Sequence, residues 1–369
     1  MMKKIPVFEH QKFNEALDEC YDLILNAQPG ELIHIVGASG IGKSTLRNRL
    51  FLEIGKSLGD LPIGELRIIS VNASNNSNSY YDSKDFFSRS LIYAGDPFRF
   101  VPNAIEKSND ADSLDRYLER LVKSKEWLAK NIPNTETDIR SAFERICTVR
   151  GVLFFFIDEA HVIRINHKNR DPSNHIESLK NIAVELGIVI VLFGTFALLE
   201  LCNFSSEVNR RGPVVHFSRY MENVEELPGF LDVLEKLGAE FTFCDPEFIR
   251  THWEYIYSVT VGVIGEAHGL FRRASAKAWV RCRKAKISRV TIIYADLKNA
   301  AHPVARLKKL YFDIAVGEAY FEQATDELLG ELRHKLMTNT LIESPTDDPI
   351  SPKRRPGLRT LVRDKVGIR

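Results

Sequence analysis

Two short stretches of this chain hold the residue types that handle phosphate. Gly37–Ser44 reads GASGIGKS, and Leu153–His161 reads LFFFIDEAH. Glycines adopt backbone conformations closed to residues with a side chain, so successive amide N–H groups can converge on one anion. Gly37, Ala38, Ser39, Gly40, Ile41 and Gly42 are expected to build that cradle. Lys43 supplies a fixed cation for the β and γ phosphates of a nucleoside triphosphate, Ser44 a hydroxyl for Mg²⁺, and Thr45 lies near the α-phosphate. In the second stretch five apolar residues lead to two carboxylates. Asp158 is expected to hold Mg²⁺ through water, and Glu159 to polarise the water that attacks the γ-phosphate. Taken singly, the first stretch is also a glycine-rich turn and the second a strand running into a helix cap. Together they predict a site for ATP and Mg²⁺.

Those residues work only if strands and helices deliver them to one place. A helix is expected over 9–27, where Phe13, Leu17, Tyr21 and Leu25 recur at helical spacing. Strand patterns follow at Glu31–Val36, Leu66–Asn72, Val152–Ile157, Ile188–Thr195 and Val214–Phe217. Helices are expected near 42–54, 82–94, 112–130, 136–149 and 174–186, with a loop at 96–103. Strands alternating with helices make a parallel sheet covered on both faces, and the carboxyl ends of such strands are where ligands bind. Beyond Phe217 no strand of comparable strength occurs. FLDVLEKL, PEFIRTHWEYIYSVTVGVIG, LFRRASAKAWVRCRK and VTIIYADLKNA read as four helices. The predicted division is an N-terminal helix and entry segment (1–30), a nucleotide-binding core (31–220) with a helical insertion at about 82–150, an α-helical lid (221–300), a C-terminal helix (301–340) and a flexible basic tail (341–369).

Composition narrows the function classes. Of 369 residues, 44% are hydrophobic and 27% charged, which excludes a mostly disordered or collagenous chain. The longest apolar run, near Ile188–Phe196, is too short to span a bilayer, and no apolar stretch follows the N-terminal lysines. Cys20, Cys147, Cys202, Cys244 and Cys282 form no C-x-x-C pair, so no zinc or disulfide framework is expected and the chain reads as cytoplasmic. Its histidines lack H-E-x-x-H spacing, which disfavours a metalloenzyme. A net charge of +1 conceals asymmetry: Leu270–Leu310 holds twelve Lys or Arg against Asp296 alone, and the segment from Lys353 seven against Asp364. Such zones suit a nucleic-acid backbone, a solvated helix face or an acidic partner. The polar stretch ASNNSNSYYDSK, with Lys84 and Arg89, is a second candidate for the backbone contact.

These motifs resemble the AAA+ ATPases, which implies a RecA-like parallel five-stranded sheet between helices, an α-helical lid and here a basic tail. Three further positions are assigned by that resemblance. Thr195, in FGT, matches the polar sensor 1 that aligns the lytic water. Arg210 or Arg211, in NRRG, matches the arginine finger that reaches a neighbouring subunit's nucleotide. Arg272 or Arg273, in GLFRRASAKAW, matches sensor 2 facing the γ-phosphate. Within AAA+ the chain resembles the TnsC/TniB transposition regulators over about Phe13–Asn299, with IstB and MuB more distant. The resemblance implies slow ATP hydrolysis, self-assembly as a ring or helical filament on double-stranded DNA without regard to sequence, and partnership with a transposase and a target-selection protein, with no membrane role. Lys43 and Asp158 lie 115 positions apart, leaving room for an insertion that bars transfer of DNA-contacting residues by position. The alternatives are a STAND-type signalling switch NTPase and an AAA+ replication initiator or helicase loader.

Overall fold

Leu32–Val36 (β1) is five consecutive buried residues, the pattern of a strand covered on both faces. The computed structural model describes residues 9–59, 62, 64–75, 80–95, 135–165, 173–203, 212–321, 329, 330 and 333. The expected helix at 112–130, the loop at 96–103 and the tail at 341–369 lie outside them. One compact unit runs from Met1 to Tyr320 and a second from Phe321 to Arg369; residues 329, 330 and 333 of the second are helical.

The first unit opens with α1 (Gln11–Leu25), then β1, α2 (Lys43–Ser57), β2 (Ile68–Asn72), α3 (Ser83–Tyr93), α4 (Glu136–Arg150) and β3 (Phe154–Asp158). A 3₁₀ turn (Ala160–Arg164) follows, then α5 (Ser173–Leu186), β4 (Val189–Gly194), α6 (Ala197–Asn203) and β5 (Val214–His216). The strands form one parallel sheet in the order β2-β3-β4-β1-β5. Alternation along the strands sorts the two faces. Ile33, Ile35, Phe154, Phe156, Val191 and Phe193 pack on Phe13, Leu17 and Ile24 of α1 and on Leu46, Leu50 and Ile54 of α2. On the other face the Phe155 ring lies 6.0 Å from Phe86 of α3 and 5.1 Å from Phe143 of α4. Each buried ring contributes about 2–3 kcal/mol through apolar area removed from water.

The helical part begins at Leu227 with α7 (Leu227–Gly238), followed by α8 (Phe248–Thr251), α9 (Trp253–Thr260), α10 (Ile264–Lys284), α11 (Tyr294–Ala300) and α12 (Val304–Ala319). Its own core joins Phe230, Leu234, Ile256, Phe271, Ala274 and Leu297. Two expected helices are shorter here than their sequence patterns. PEFIRTHWEYIYSVTVGVIG splits into α8 and α9 and stops at Val261, held at φ 53°, and Gly262, at φ 71°. A Cβ on Gly262 would lie 2.0 Å from the Tyr220 carbonyl oxygen, so close backbone passage ends the helix. In VTIIYADLKNA, Ile292 bridges Phe243 as an extended residue and the helix starts only at Tyr294; the Asp296 carboxylate accepts the Ile293 N–H. Within the expected C-terminal helix (301–340), α12 ends at Ala319. Among the described residues no helix is long and apolar enough to cross a membrane.

Candidate nucleotide site

β1, β4 and β3 are neighbours in the sheet, and their ends lie within one residue of one another. Val36 pairs with Gly194, and Asp158 pairs with Asn72 at the end of β2. The chain therefore leaves three adjacent strands at one edge, carrying Gly37, Thr195 and Glu159 respectively. There Gly40 (φ 81°) and Gly42 (φ 116°) adopt the left-handed backbone that glycine alone enters without strain. Gly37 is required for space, since a Cβ would meet the Phe217 carbonyl oxygen at 2.6 Å. Ala38 and Ile41 are buried anchors, while Ser39 and Ser44 are exposed and Thr45 is half-buried. The loop feeds the first turn of a fifteen-residue helix, whose unpaired N–H groups and dipole favour an anion.

Lys43 is folded back on this loop. Its Nζ donates to the carbonyls of Gly37 (3.0 Å) and Ala38 (2.8 Å). Burial pushes its pKa down to about 8, opposed by the nearby charges of Glu159 and Asp158. The two carboxylates differ in setting although they are adjacent. Asp158 is 3% exposed; its Oδ1 accepts the Glu159 N–H at 2.9 Å and its Oδ2 lies 3.1 Å from Arg47 Nη1. The Glu159 carboxylate is half exposed and stands 3.4 Å from His161 Nδ1. Glu159 also has φ 54°, a conformation costing about 1–3 kcal/mol in a residue with a side chain. Burial pulls the His161 pKa down, against the raising effect of Glu159, which favours a neutral imidazole beside that carboxylate.

The donor set fits Mg²⁺. A serine hydroxyl and a carboxylate are hard oxygen ligands, and that ion takes few protein ligands beside phosphate and water. Ser44 and Asp158 could hold it, and the charge it supplies when bound would neutralise phosphate oxygens. The chain's own residues divide the remaining work. The loop amides and Lys43 can bind phosphate, and the half-exposed Glu159 can take a proton from water, whereas the clamped Asp158 cannot move to do so. Thr195 follows β4, between the strands that carry the loop and the acid pair, and its carbonyl accepts the Leu198 N–H.

The remaining expected residues separate. Arg210 and Arg211 lie outside the described residues. The helical part reaches the loop through α10: Gly265 N–H donates to the Gly40 carbonyl at 3.0 Å. Arg272 lies seven residues on, about 10 Å along the same helix face, and is exposed. Arg273 turns elsewhere, its Nε donating to the Ala300 carbonyl at 2.8 Å. Arg89, expected along a DNA backbone, is 5% exposed and donates to the carbonyls of Asn72 and Ser74, so the backbone leaving β2 occupies its guanidinium. Arg47, Asn72 and His161 are neighbours of the site that the motifs did not single out. Arg47 was within reach of sequence reasoning, as it falls one helical turn after Lys43 and Ser44.

A second charged region lies on the C-terminal half of α10 and the turn after it. Lys277, Arg283, Lys284, Lys286 and Arg289 are exposed, and none pairs with a carboxylate among the described residues. The Arg283 guanidinium sits 5.3 Å above the ring of Trp279, itself 53% exposed. Arg281 differs: it is bound to Asp296 at 2.9 Å.

Residues 27–201 match the family described as AAA domain. The fold is likewise similar to the Aeropyrum pernix ORC1 protein in complex with DNA, with 14% identity over 94% of this chain and 82% of that one at a TM-score of 0.53. It is also similar to the Aeropyrum pernix ORC2 protein in its ADPNP–ADP complexes, with 14% identity over 94% and 85% at a TM-score of 0.51. Both likenesses establish the AAA+ RecA-like architecture and nothing about activity. No curated protein matches the chain.

Proposed function

We propose that this chain is a Mg²⁺-dependent ATPase that uses ATP to assemble copies of itself on double-stranded DNA, and that in the cell it serves as a transposition regulator. The observation that carries the ATPase reading is the meeting of Lys43, Asp158, Glu159 and Thr195 at the carboxyl edge of β1, β3 and β4. Lys43 and the loop amides bind the β and γ phosphates, Ser44 and Asp158 hold Mg²⁺, Glu159 takes the proton of the attacking water, and Thr195 orients it. Arg272 is the sensor of the γ-phosphate, supported by its exposure and its place in line with Gly265. Arg210 or Arg211 completes the site of a neighbouring copy. The unpaired cations of α10 support backbone contacts that ignore sequence.

The link to a transposase and a target-selection protein rests on the resemblance of GASGIGKS, IDEAH, FGT and the G-x-x-R helix to TnsC/TniB proteins. The replication-initiator reading draws on one finding, the shared fold with an ORC1 protein that was solved with DNA. Fluorescence anisotropy of labelled duplexes tests the assembly reading. Binding should require ATP, differ little between sequences and weaken steeply with salt. Salt-insensitive binding, or none with ATP present, would remove it. Mixing Lys43→Ala protein with an Arg210→Ala, Arg211→Ala double variant tests the shared site. ATPase activity should partly return, because mixed interfaces pair an intact loop with an intact finger.

A further inference from the structure

Arg47 sits between the two halves of the nucleotide site. Its Nη1 is 3.1 Å from Asp158 Oδ2 and donates to Asn72 Oδ1 at 2.7 Å. Its Nη2 donates to Asn48 Oδ1 at 2.7 Å. Register in the sheet pairs Asn72 directly with Asp158, so both acceptors present themselves at one point of the sheet edge. Arg47 stands three residues after Ser44 and four after Lys43 on α2, the spacing that shares a helix face. The guanidinium thus bridges the helix that carries Ser44 and the strand that carries Asp158. It also uses the one Asp158 oxygen that the backbone leaves open, since Oδ1 is taken by the Glu159 N–H.

We propose that Arg47 is the resident counter-cation of Asp158, held there until a divalent metal displaces it, so that nucleotide capture by this chain is set by metal concentration. The inference rests on the ATP and Mg²⁺ reading above. A guanidinium and a divalent cation at one carboxylate repel, and because Asp158 is 3% exposed water screens them less there than between groups in open solvent. Displacement leaves no orphan. Asn72 and Asn48 remain as neutral acceptors for the same guanidinium, so it need only move off the carboxylate. Lys43 repeats the device at the loop, where its ammonium rests on the Gly37 and Ala38 carbonyls. Lys43 and Arg47 thus each have an internal partner that a bound ligand would replace. Arg47 is accordingly a positioning residue: it acts through Asp158 and touches no reacting atom.

The test is equilibrium binding of a fluorescent ATP analogue to the full chain, titrated against Mg²⁺. Arg47→Met should lower the Mg²⁺ concentration that gives half-maximal binding by roughly three- to tenfold, the size of a partly buried charge-assisted contact. Without metal or nucleotide it should melt earlier than the unsubstituted chain, and saturating Mg²⁺ and nucleotide should narrow that gap. An unchanged or raised Mg²⁺ midpoint would overturn the proposal. If Arg47→Met does not fold, Arg47→Lys decides, because one ammonium cannot hold Asp158 and Asn72 together. A smaller fall in the midpoint supports the proposal and no shift overturns it. Should the unsubstituted chain bind no nucleotide at any Mg²⁺ concentration, the ATP reading fails and this inference falls with it. Binding by the unsubstituted chain with no midpoint shift in the variants sinks this inference alone.

Discussion

The phosphate-loop edge of the sheet and the C-terminal half of α10 are both rich in cations, yet they hold them in opposite ways. At the sheet edge three described cations each have an internal acceptor: Lys43 the loop carbonyls, Arg47 Asp158 and Asn72, and Arg89 the carbonyls of Asn72 and Ser74. On the C-terminal half of α10 and the turn after it, Lys277, Arg283, Lys284, Lys286 and Arg289 face solvent with no carboxylate partner among the described residues. The difference is physical. Unpaired charge is tolerated in water, but burying it costs several kcal/mol. A ligand at the sheet edge must therefore replace contacts that already exist, so it has to match their geometry and charge. A polyanion on α10 replaces only water and counterions, which selects for charge and is indifferent to sequence.

The largest expected break in this contrast comes from Lys43→Ala. It should reduce ATP affinity by two orders of magnitude or more, as removal of a buried charge-assisted hydrogen bond does, and leave duplex binding without nucleotide unchanged; calorimetry reads the first and anisotropy the second. Comparable ATP binding by this variant would refute the phosphate-loop assignment. Next is acid. His34 is buried in β1, and burial lowers its pKa to about 4, against the raising effect of the Leu32 backbone. Below the ordinary value of 6.5 the unfolded chain takes up a proton that the folded chain refuses. Stability should thus fall as pH drops from about 6.5 to 4, and level off below. The linkage is worth about 3 kcal/mol. Denaturant midpoints across that range measure it, and His34→Leu should flatten the profile.

How much of this was legible without coordinates depends on how local the cause is. The loop, the acid pair and all five strands follow from short runs such as GASGIGKS and FFFID, where composition and period suffice. The Arg47–Asp158 contact joins residues more than a hundred positions apart, and nothing in either segment specifies that pairing. Arg89 misled for the same reason: a basic residue in a polar stretch reads as exposed until the fold wraps backbone carbonyls around it. Arg272 and Arg273 are indistinguishable as letters, and only the pitch of α10 separates one facing along Gly265 from one capped by Ala300. The break after α9 is tertiary too, forced by the Tyr220 carbonyl against Gly262.

Smaller effects sharpen the contrast from the other side. Replacing Lys284, Lys286 and Arg289 together with Ala should reduce the slope of log affinity for duplex DNA against log salt by about 2 to 3, close to one for each phosphate no longer neutralised. ATP affinity should stay within about twofold, because none of these side chains touches the sheet edge. A parallel fall in ATP binding would show that the two regions are not separate. Gly265→Ala is the mildest probe. Its Cβ would lie 2.2 Å from the Gly40 carbonyl oxygen, so α10 must back away from the loop at an overpacking cost of about 1–3 kcal/mol. ATP affinity should fall about tenfold, with the melting temperature lowered by a few degrees and salt-dependent DNA binding retained.

In the proposed ATPase two adjacent carboxylates do different work, the clamped Asp158 holding the metal and the half-exposed Glu159 handling the water. Measuring ATP affinity and phosphate release side by side for Glu159→Gln tests this division most directly. Affinity within about twofold of the unsubstituted chain, with phosphate release reduced a hundredfold or more, is the predicted result. Undiminished release, or loss of ATP binding together with release, would contradict it.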